Sequence, residues 1–462
     1  MRTLVLLIIT NCVLVFPLVS FAQINDSLTI RKIYTEALSN PVAYHNLQYL
    51  CNSIGGRPCG SDQASQALQW ARRLLEKMNP DTVYLQQVGV EHWERGEKEI
   101  AQVVSVKTGK HNLSVCALGS SIGTGKAGIK AEVVEARNFD ELKLMGRKII
   151  EGKIVFFNRA ADPSPIYTFE AYGGAVDQRA RGAMQAARFG AVAVIVRSAT
   201  LAHDDFPHTG IQHYADSIKP IPAVSVSPDG ADSLSKWLKS DPGITLFIRT
   251  TCVQNPATAS NNIIAEIKGS ENPDEIIAFG GHIDSWDIGQ GAHDDGAGVV
   301  QTIEILRLFK TLGIKPKHTI RLVVFMDEEY AQRGGKVYGD EAKRLTSLGL
   351  EKHIAAIEAD RGGFTPSGFS IDANDIQVKK IQDWKYLLQP YGLWSIAKGG
   401  SGVDIRDLKP LGIPLIALVT DSQRYFDYQH AASDTFDKVN MRELQLGSAA
   451  MTALVWLIDT KW

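Results

Sequence analysis

The stretch Glu275–Gly313 reads "EIIAFGGHIDSWDIGQGAHDDGAGVVQTIEILRLFKTLG". "EIIAF" is an apolar run with the length of a strand buried on both faces. "AGVVQTIEILRLFKTLG" spaces its apolar residues at the helical period. Between the two, the nineteen residues from Gly280 to Gly298 carry two histidines, four aspartates and six glycines, with neither period. A solvated surface loop is the plain explanation of so much charge in one loop, and a metal site is the specific one.

The same alternation of strand and helix runs through the rest of the second half. "TIRLVVFM", "HIAAIEAD" and "IPLIALVT" read as strands. "DIQVKKIQDWKYLLQPYG" and "MRELQLGSAAMTALVWLID" read as helices. Apolar strands alternating with helices predict an α/β fold, a mostly parallel sheet sandwiched by helices. Upstream, "DSLTIRKIYTEALSNPVAYHNLQYLCNSIG" and "SDQASQALQWARRLLEKM" are amphipathic, and Ser61 can cap the second. The texture changes between Gly123 and about Asn255. There "GIKAEVVEA", "GKIVFFN", "GAVAVIVRS", "IPAVSVS" and "ITLFIRT" are β-rich runs around one helical segment, "DQRARGAMQAARFG". "NPATASNN" then reads as a polar linker. The expected organisation is a discontinuous domain, 23–122 plus 256–462, interrupted by a β-rich insert over 123–255.

The chain has 462 residues, 44% hydrophobic and 22% charged, with a formal net charge of -2. That balance suits a globular protein and provides no electrostatic pull toward nucleic acid or an anionic membrane. Arg2, an apolar stretch from Leu4 to Val19 and the small residues of Ser20-Phe21-Ala22 have the layout of a cleaved signal peptide over 1–22. The expected location is therefore secreted or periplasmic, with no membrane attachment after cleavage. Cys51, Cys59, Cys116 and Cys252 remain, an even number that an oxidising compartment can pair. Cys51 and Cys59 bracket a tight loop, which leaves Cys116 with Cys252. No CxxC spacing occurs, so a cysteine-ligated zinc is not expected.

In parallel sheets, ligands bind outside the carboxyl ends of the strands. Four strands here end in residues able to do chemistry: His282 and Asp284, Asp327-Glu328-Glu329, Asp360, and the loop to His430. Histidine with carboxylate is the ligand set of zinc and related divalent ions. A carboxylate of the "HDD" segment can bridge two such ions. In the Glu328-Glu329 pair, one member can bind metal while its neighbour serves as the base. Asp284 is placed to hold the other ring nitrogen of His282.

"GGHIDSWDIGQGAHDDGAG", "FMDEEYAQRGG", "EADRGGF", "GGSGVD" and "YQHAASDT" resemble, in order and spacing, the co-catalytic dizinc aminopeptidase family, and most of all its plasma glutamate carboxypeptidase branch. "GKIVFFN", "ARFGAVAVIVRS" and "IPAVSVS" resemble a protease-associated domain, which that family often carries as an insert. The resemblance implies the zinc exopeptidase fold and two divalent metal ions, most simply zinc. It assigns His282 and Asp360 to the first ion, Glu329 and His430 to the second, and Asp294 to both. It makes Glu328 the general base and acid and Asp284 the partner of His282. The family motif, and not ligand chemistry, selects Asp294 over Asp295.

The implied activity is hydrolysis of short peptides or dipeptides by metal-activated water, of aminopeptidase or dipeptidase type, with a homodimer compatible with it. Carboxypeptidase specificity, a glutaminyl-cyclase-like transferase and a non-catalytic binding protein are the alternatives. His293 and Asp295 read as structural, and Asp287 and Asp434 as groups that orient neighbours. His203, His208 and His213 of "HDDFPHTGIQH" read as a substrate-facing or surface loop, not a third metal site. Because all the expected ligands lie between His282 and His430, the insert is expected to shape access without touching the metals.

Overall fold

The apolar runs of the second half form the centre of an eight-stranded sheet. In this computed structural model, which describes residues 21–107 and 109–462, the strands Val253–Ile267, His318–Phe325, Asn272–His282, Lys352–Glu358 and Leu415–Thr420 lie side by side. The last four are mutually parallel. The margins are antiparallel: Thr82–Glu94 pairs Val253–Ile267 on one side, and Pro366–Asp372 pairs Leu415–Thr420 on the other. The signal peptide expected over 1–22 lies, through residue 20, outside the described residues.

Helices cover both faces. Ala297–Thr311 buries Val299, Val300, Ile303, Ile305, Leu306, Leu308 and Phe309 against the sheet and against Met441–Lys461. Each such side chain contributes about 1.5–3 kcal/mol of transfer free energy. Ser61 accepts from the Ala64 amide and caps Asp62–Lys77, and Asn440 caps Met441–Lys461. The predicted helix over "DIQVKKIQDWKYLLQPYG" is broken into Asp375–Gln382 and the single turn Lys385–Leu388.

A second eight-stranded sheet stands apart, with three parallel pairs among Ile129–Ala136, Ile154–Phe157, Ala193–Arg197 and Ala223–Val226. Its helices Phe139–Ile150, Asp177–Ala187 and Pro228–Ser240 and its own apolar clusters make it a separate packing unit. It begins earlier than the expected boundary at 123. Ile100–Ser105, Gly109–Leu113 and Val115–Ala117 all pair within it, so a cut at 123 would divide one hydrogen-bonded ladder. "NPATASNN" is not a linker either. It lies in Val253–Ile267 and pairs with Thr82–Glu94, and this ribbon carries the chain to the second sheet and back. Cross-strand hydrogen bonds override the weak strand propensity of its polar residues.

The two expected disulfides are absent. Cys51, Cys59, Cys116 and Cys252 are all free and buried. Cys51 packs among Ala43, Leu47 and Val300, whereas the Cys59 thiol donates to Asp327 Oδ1 at 3.1 Å. Proximity in sequence did not bring the two sulfurs face to face. No helix among the described residues is long and apolar enough to cross a membrane.

Candidate metal centre

Every expected site residue lies at the carboxyl edge of the first sheet. His282 is the last residue of Asn272–His282, and Glu328 and Glu329 open the one-turn helix Glu328–Ala331 after His318–Phe325. Asp360 follows Lys352–Glu358, and His430 follows the short helix Tyr425–Tyr428 beyond Leu415–Thr420. Asp294 lies in the Gly-rich segment leading into Ala297–Thr311.

The geometry centres on Asp294, whose two oxygens face different histidines. Oδ1 lies 3.3 Å from His282 Nε2 and Oδ2 lies 3.2 Å from His430 Nε2. Asp360 Oδ1 is 3.7 Å from His282 Nε2, and Glu329 Oε2 is 3.0 Å from His430 Nε2. These five side chains form two donor groups joined through one carboxylate. His282 Nε2, Glu329 Oε1 and Asp360 Oδ1 are buried without a hydrogen-bond partner. Buried polar atoms are rarely left so, and an imidazole with carboxylates is the donor set of a borderline divalent cation.

Asp295 also comes within 4.8 Å of the His282 and Asp360 donors. Its oxygens are committed elsewhere, to the amides of His282 at 3.1 Å and Gly298 at 3.0 Å. Asp295 therefore folds the loop, and Asp294 has the free geometry.

Electrostatics point the same way. Burial opposes charge on His282, yet the Asp294, Asp360 and Glu328 carboxylates push its pKa well above the imidazole range. His430 is raised likewise against burial, by Glu329 and Asp294. Burial alone would raise Asp294, but the two imidazoles hold it well below the carboxylate range. Burial raises Glu328 against the pull of the His282 imidazole, and Glu329, Asp360 and Asp404 raise it further. Negative charge exceeds what two histidines neutralise, as expected of a site built for cations.

Asp284 acts differently from expectation. His282 Nδ1 meets the backbone carbonyl of Asp284 at 3.0 Å, while the carboxylate is 3.8 Å away. That carboxylate instead accepts from the amides of Asp327, Glu328 and Glu329 at 2.9, 3.3 and 3.3 Å. It holds the acidic turn in place from below.

Several groups were not singled out from sequence. Trp286 Nε1 donates to Glu329 Oε2 at 2.6 Å. The fully buried Arg57 gathers the carbonyls of Gly55, Ile283, Gln290 and Gly291 and so pins the Gly-rich loop. The indole of "DSWD" and the arginine of "GGRP" were visible residues with no periodic or spacing signal. Asp434 takes the amides of His293 and Asp294 at 2.8 and 3.2 Å, the orienting role read for it.

The insert approaches the site through a loop and a helix, and none of its residues belongs to the donor groups. The Thr209 carbonyl is 3.3 Å from His430 Nδ1, and the Thr209 amide donates to the His430 carbonyl at 2.8 Å. Arg179 Nη1 lies 3.4 Å from the same ring nitrogen. His208 is buried with its ring on the Gln429 carbonyl at 2.7 Å, so it docks the loop and does not face substrate. Asp205 binds Ser114 and Ser227 within its own unit. His213, Tyr214 and Gln212 line a cavity of about 670 Å³ between the two units, together with Arg179, Glu328, Asp294, Glu329, Asp360 and His430.

Residues 262–455, which span this whole edge, match Peptidase family M28. Carboxypeptidase Q of Mus musculus is 33% identical over 90% of this chain and 85% of its own length. The chain belongs to peptidase family M28. Carboxypeptidase Q of Homo sapiens is 32% identical over the same shares of the two chains. A peptidase M28 precursor from Shewanella amazonensis SB2B superposes with a TM-score of 0.87 at 32% identity, over 94% of this chain and 97% of that one. An aminopeptidase from Aneurinibacillus sp. strain AM-1 shares the fold, with a TM-score of 0.65 at 19% identity over 94% and 97% of the two chains. This M28 chain is thus a peptidase, and its α/β architecture is that of solved M28 structures.

Proposed function

We propose that the chain is a two-metal exopeptidase acting on short peptides. The observation that carries this reading is the pair of Asp294 oxygens turned to different histidines. His282, Asp360 and Asp294 would hold one divalent ion, and Glu329, His430 and Asp294 the other, with zinc the best match to the donors. When bound, such ions supply polarisation of a carbonyl and a lowered pKa for water.

The chain's own residues account for the rest. Glu328 lines the cavity with Oε2 3.9 Å from His282 Nε2 and belongs to neither donor group. A carboxylate free of metal can accept the proton of the attacking water and return it to the leaving amine. Asp284 keeps that carboxylate in place by binding the amides of the turn. Trp286 orients Glu329, and the Thr209 carbonyl fixes the His430 ring. The second sheet serves as a protease-associated insert forming one wall of the cavity. The apolar stretch Leu4–Val19 and the small residues after it support export.

Glu328→Gln in the metal-loaded protein tests the reading. Turnover of a dipeptide should fall by about 10²–10⁴-fold, the usual contribution of a general base. Metal content should stay at that of the parent. Near-normal turnover in a fully loaded variant would remove Glu328 from the mechanism. Product analysis separates the reaction classes: free amino acids support the peptidase, and pyroglutamate would indicate cyclisation.

A further inference from the structure

Two polar side chains in the wall of the catalytic cavity have atoms with nothing to bond. Ser120 and Gln212 both line it. Ser120 Oγ and Gln212 Oε1 are buried, and neither has a hydrogen-bond partner among the described residues. Buried polar atoms are seldom left so, and each exception needs a reason.

The wall around them is built. Gln212 Nε2 donates to the Ser120 carbonyl at 3.2 Å, and the Gln212 amide donates to the Gly119 carbonyl at 3.2 Å. Turning the carboxamide over would set its oxygen against the Ser120 carbonyl, so the oxygen is the atom left open. Ser120 has φ +59°, a left-handed conformation uncommon for a residue with a side chain. Such backbone persists where its surroundings over-determine it, and it gathers at functional sites. Here the Gly119 amide donates to the Gly210 carbonyl at 2.9 Å. Gly119 also packs on Trp286, where an added Cβ would meet the indole Cη2 at 2.0 Å. That indole in turn holds Glu329. The two open atoms therefore stand on a braced wall next to the second donor group.

Their chemistry selects the ligand. Gln212 Oε1 only accepts, whereas the Ser120 hydroxyl donates or accepts. A group that donates to the first and accepts from the second satisfies both. An apolar side chain would drive out water and leave both atoms unmet. A carboxylate would set oxygen against Gln212 Oε1. A cationic side chain would meet the buried guanidinium of Arg179, which lines the same cavity and lies against Gly210. We propose that Ser120 and Gln212 form a specificity subsite for an uncharged substrate side chain that both donates and accepts, a carboxamide or a hydroxyl. This rests on the exopeptidase reading above and deepens it.

The test uses the full-length metal-loaded protein and dipeptides with isosteric side chains at each of the two positions in turn. The pairs are glutamine against methionine and threonine against valine, with glutamate as the charged isostere of glutamine. At one position the parent should favour the polar member by about 10- to 10²-fold in kcat/KM, the effect of leaving one or two buried polar atoms unpaired. Gln212→Met keeps the length, removes the acceptor and should bring that ratio near one. Ser120→Gly removes the hydroxyl, suits the positive φ and should lower the ratio part of the way. A general loss of fold or metal cancels from a ratio of two substrates on one protein. Calorimetric binding of the same pairs as reduced-bond analogues should show the same preference and the same loss.

Equal use of both members of both pairs at both positions would overturn the proposal. So would a ratio that survives Gln212→Met or Ser120→Gly, because that residue would then only brace the wall. A parent that takes glutamate in preference to glutamine would also overturn it, since the wall would then read charge. If the loaded parent hydrolyses none of the compounds, the exopeptidase reading fails, and the binding pairs still decide the role of Ser120 and Gln212.

Discussion

The two sheets contribute to the site by different means. The first sheet supplies side chains: His282, Glu328, Glu329 and Asp360 stand at or just beyond the ends of its parallel strands. The unit around the second sheet supplies, from outside its strands, a backbone carbonyl, that of Thr209, and one cation, Arg179 of the helix Asp177–Ala187. The difference teaches where chemistry is visible. A strand end with a histidine or a carboxylate declares itself in the sequence. A carbonyl that fixes an imidazole can belong to any residue, and only the path of the chain decides which one.

The largest expected effect breaks the first sheet's contribution at its shared point. Asp294→Asn keeps the volume but replaces one of the two facing oxygens with an amide nitrogen. Activity should fall by about 10³-fold or more, since metal polarisation contributes several kcal/mol. Metal analysis should show loss from both groups. Loss of one equivalent alone would mean that the groups are independent and Asp294 does not join them.

A smaller effect should come from the second sheet through backbone alone. Gly210 has φ +134° and lies directly beneath the Arg179 guanidinium. Gly210→Ala should displace the guanidinium and the adjoining Thr209 carbonyl. Metal affinity should weaken by about 10–100-fold, the usual cost of disturbing the groups that orient a ligand. If affinity and activity both match the parent, the second sheet is a neighbour of the site and not part of it.

The smallest effect separates the first sheet's core from its edge. His353 is buried near the start of Lys352–Glu358, with Nε2 on the Tyr338 hydroxyl at 2.8 Å. Burial first, and then Arg321, push its pKa down to about 3, while Glu266 acts the other way. In the unfolded chain a histidine titrates near ~6.5. Between these values the unfolded chain binds the extra proton. Stability from this group is therefore complete above about 6.5 and declines as the pH falls toward 3. His353→Gln should flatten that part of the profile in urea unfolding at several pH values. An unchanged slope would assign the acid sensitivity to other groups.

Legibility followed the range of the interaction. The parallel strands, the cap at Ser61 and the acidic pair Glu328-Glu329 follow from apolar period and residue type, which are local. The start of the second sheet at Ile100 was missed because "IAQVVS" is short and interrupted by Gln102. The ribbon through "NPATASNN" was missed because its pairing partner lies some 170 residues earlier in the chain. The disulfides were misjudged because spacing along the chain says nothing about where two sulfurs point.

The site divides in the same way. Which residues could bind cations was readable, because histidine and carboxylate chemistry belongs to the residue and the strand ends are set by hydrophobic pattern. The division of labour between Asp294 and Asp295 lay in the loop's hydrogen bonds: the amides of His282 and Gly298 occupy one carboxylate and leave the other free. The backbone carbonyl of Asp284, the clamp of Arg57 and the approach of Arg179 to His430 across 251 residues likewise belong to the tertiary structure alone. The physical reason is common to all of them. Carbonyls and amides are identical at every position, and a long-range contact depends on how two independently packed sheets meet.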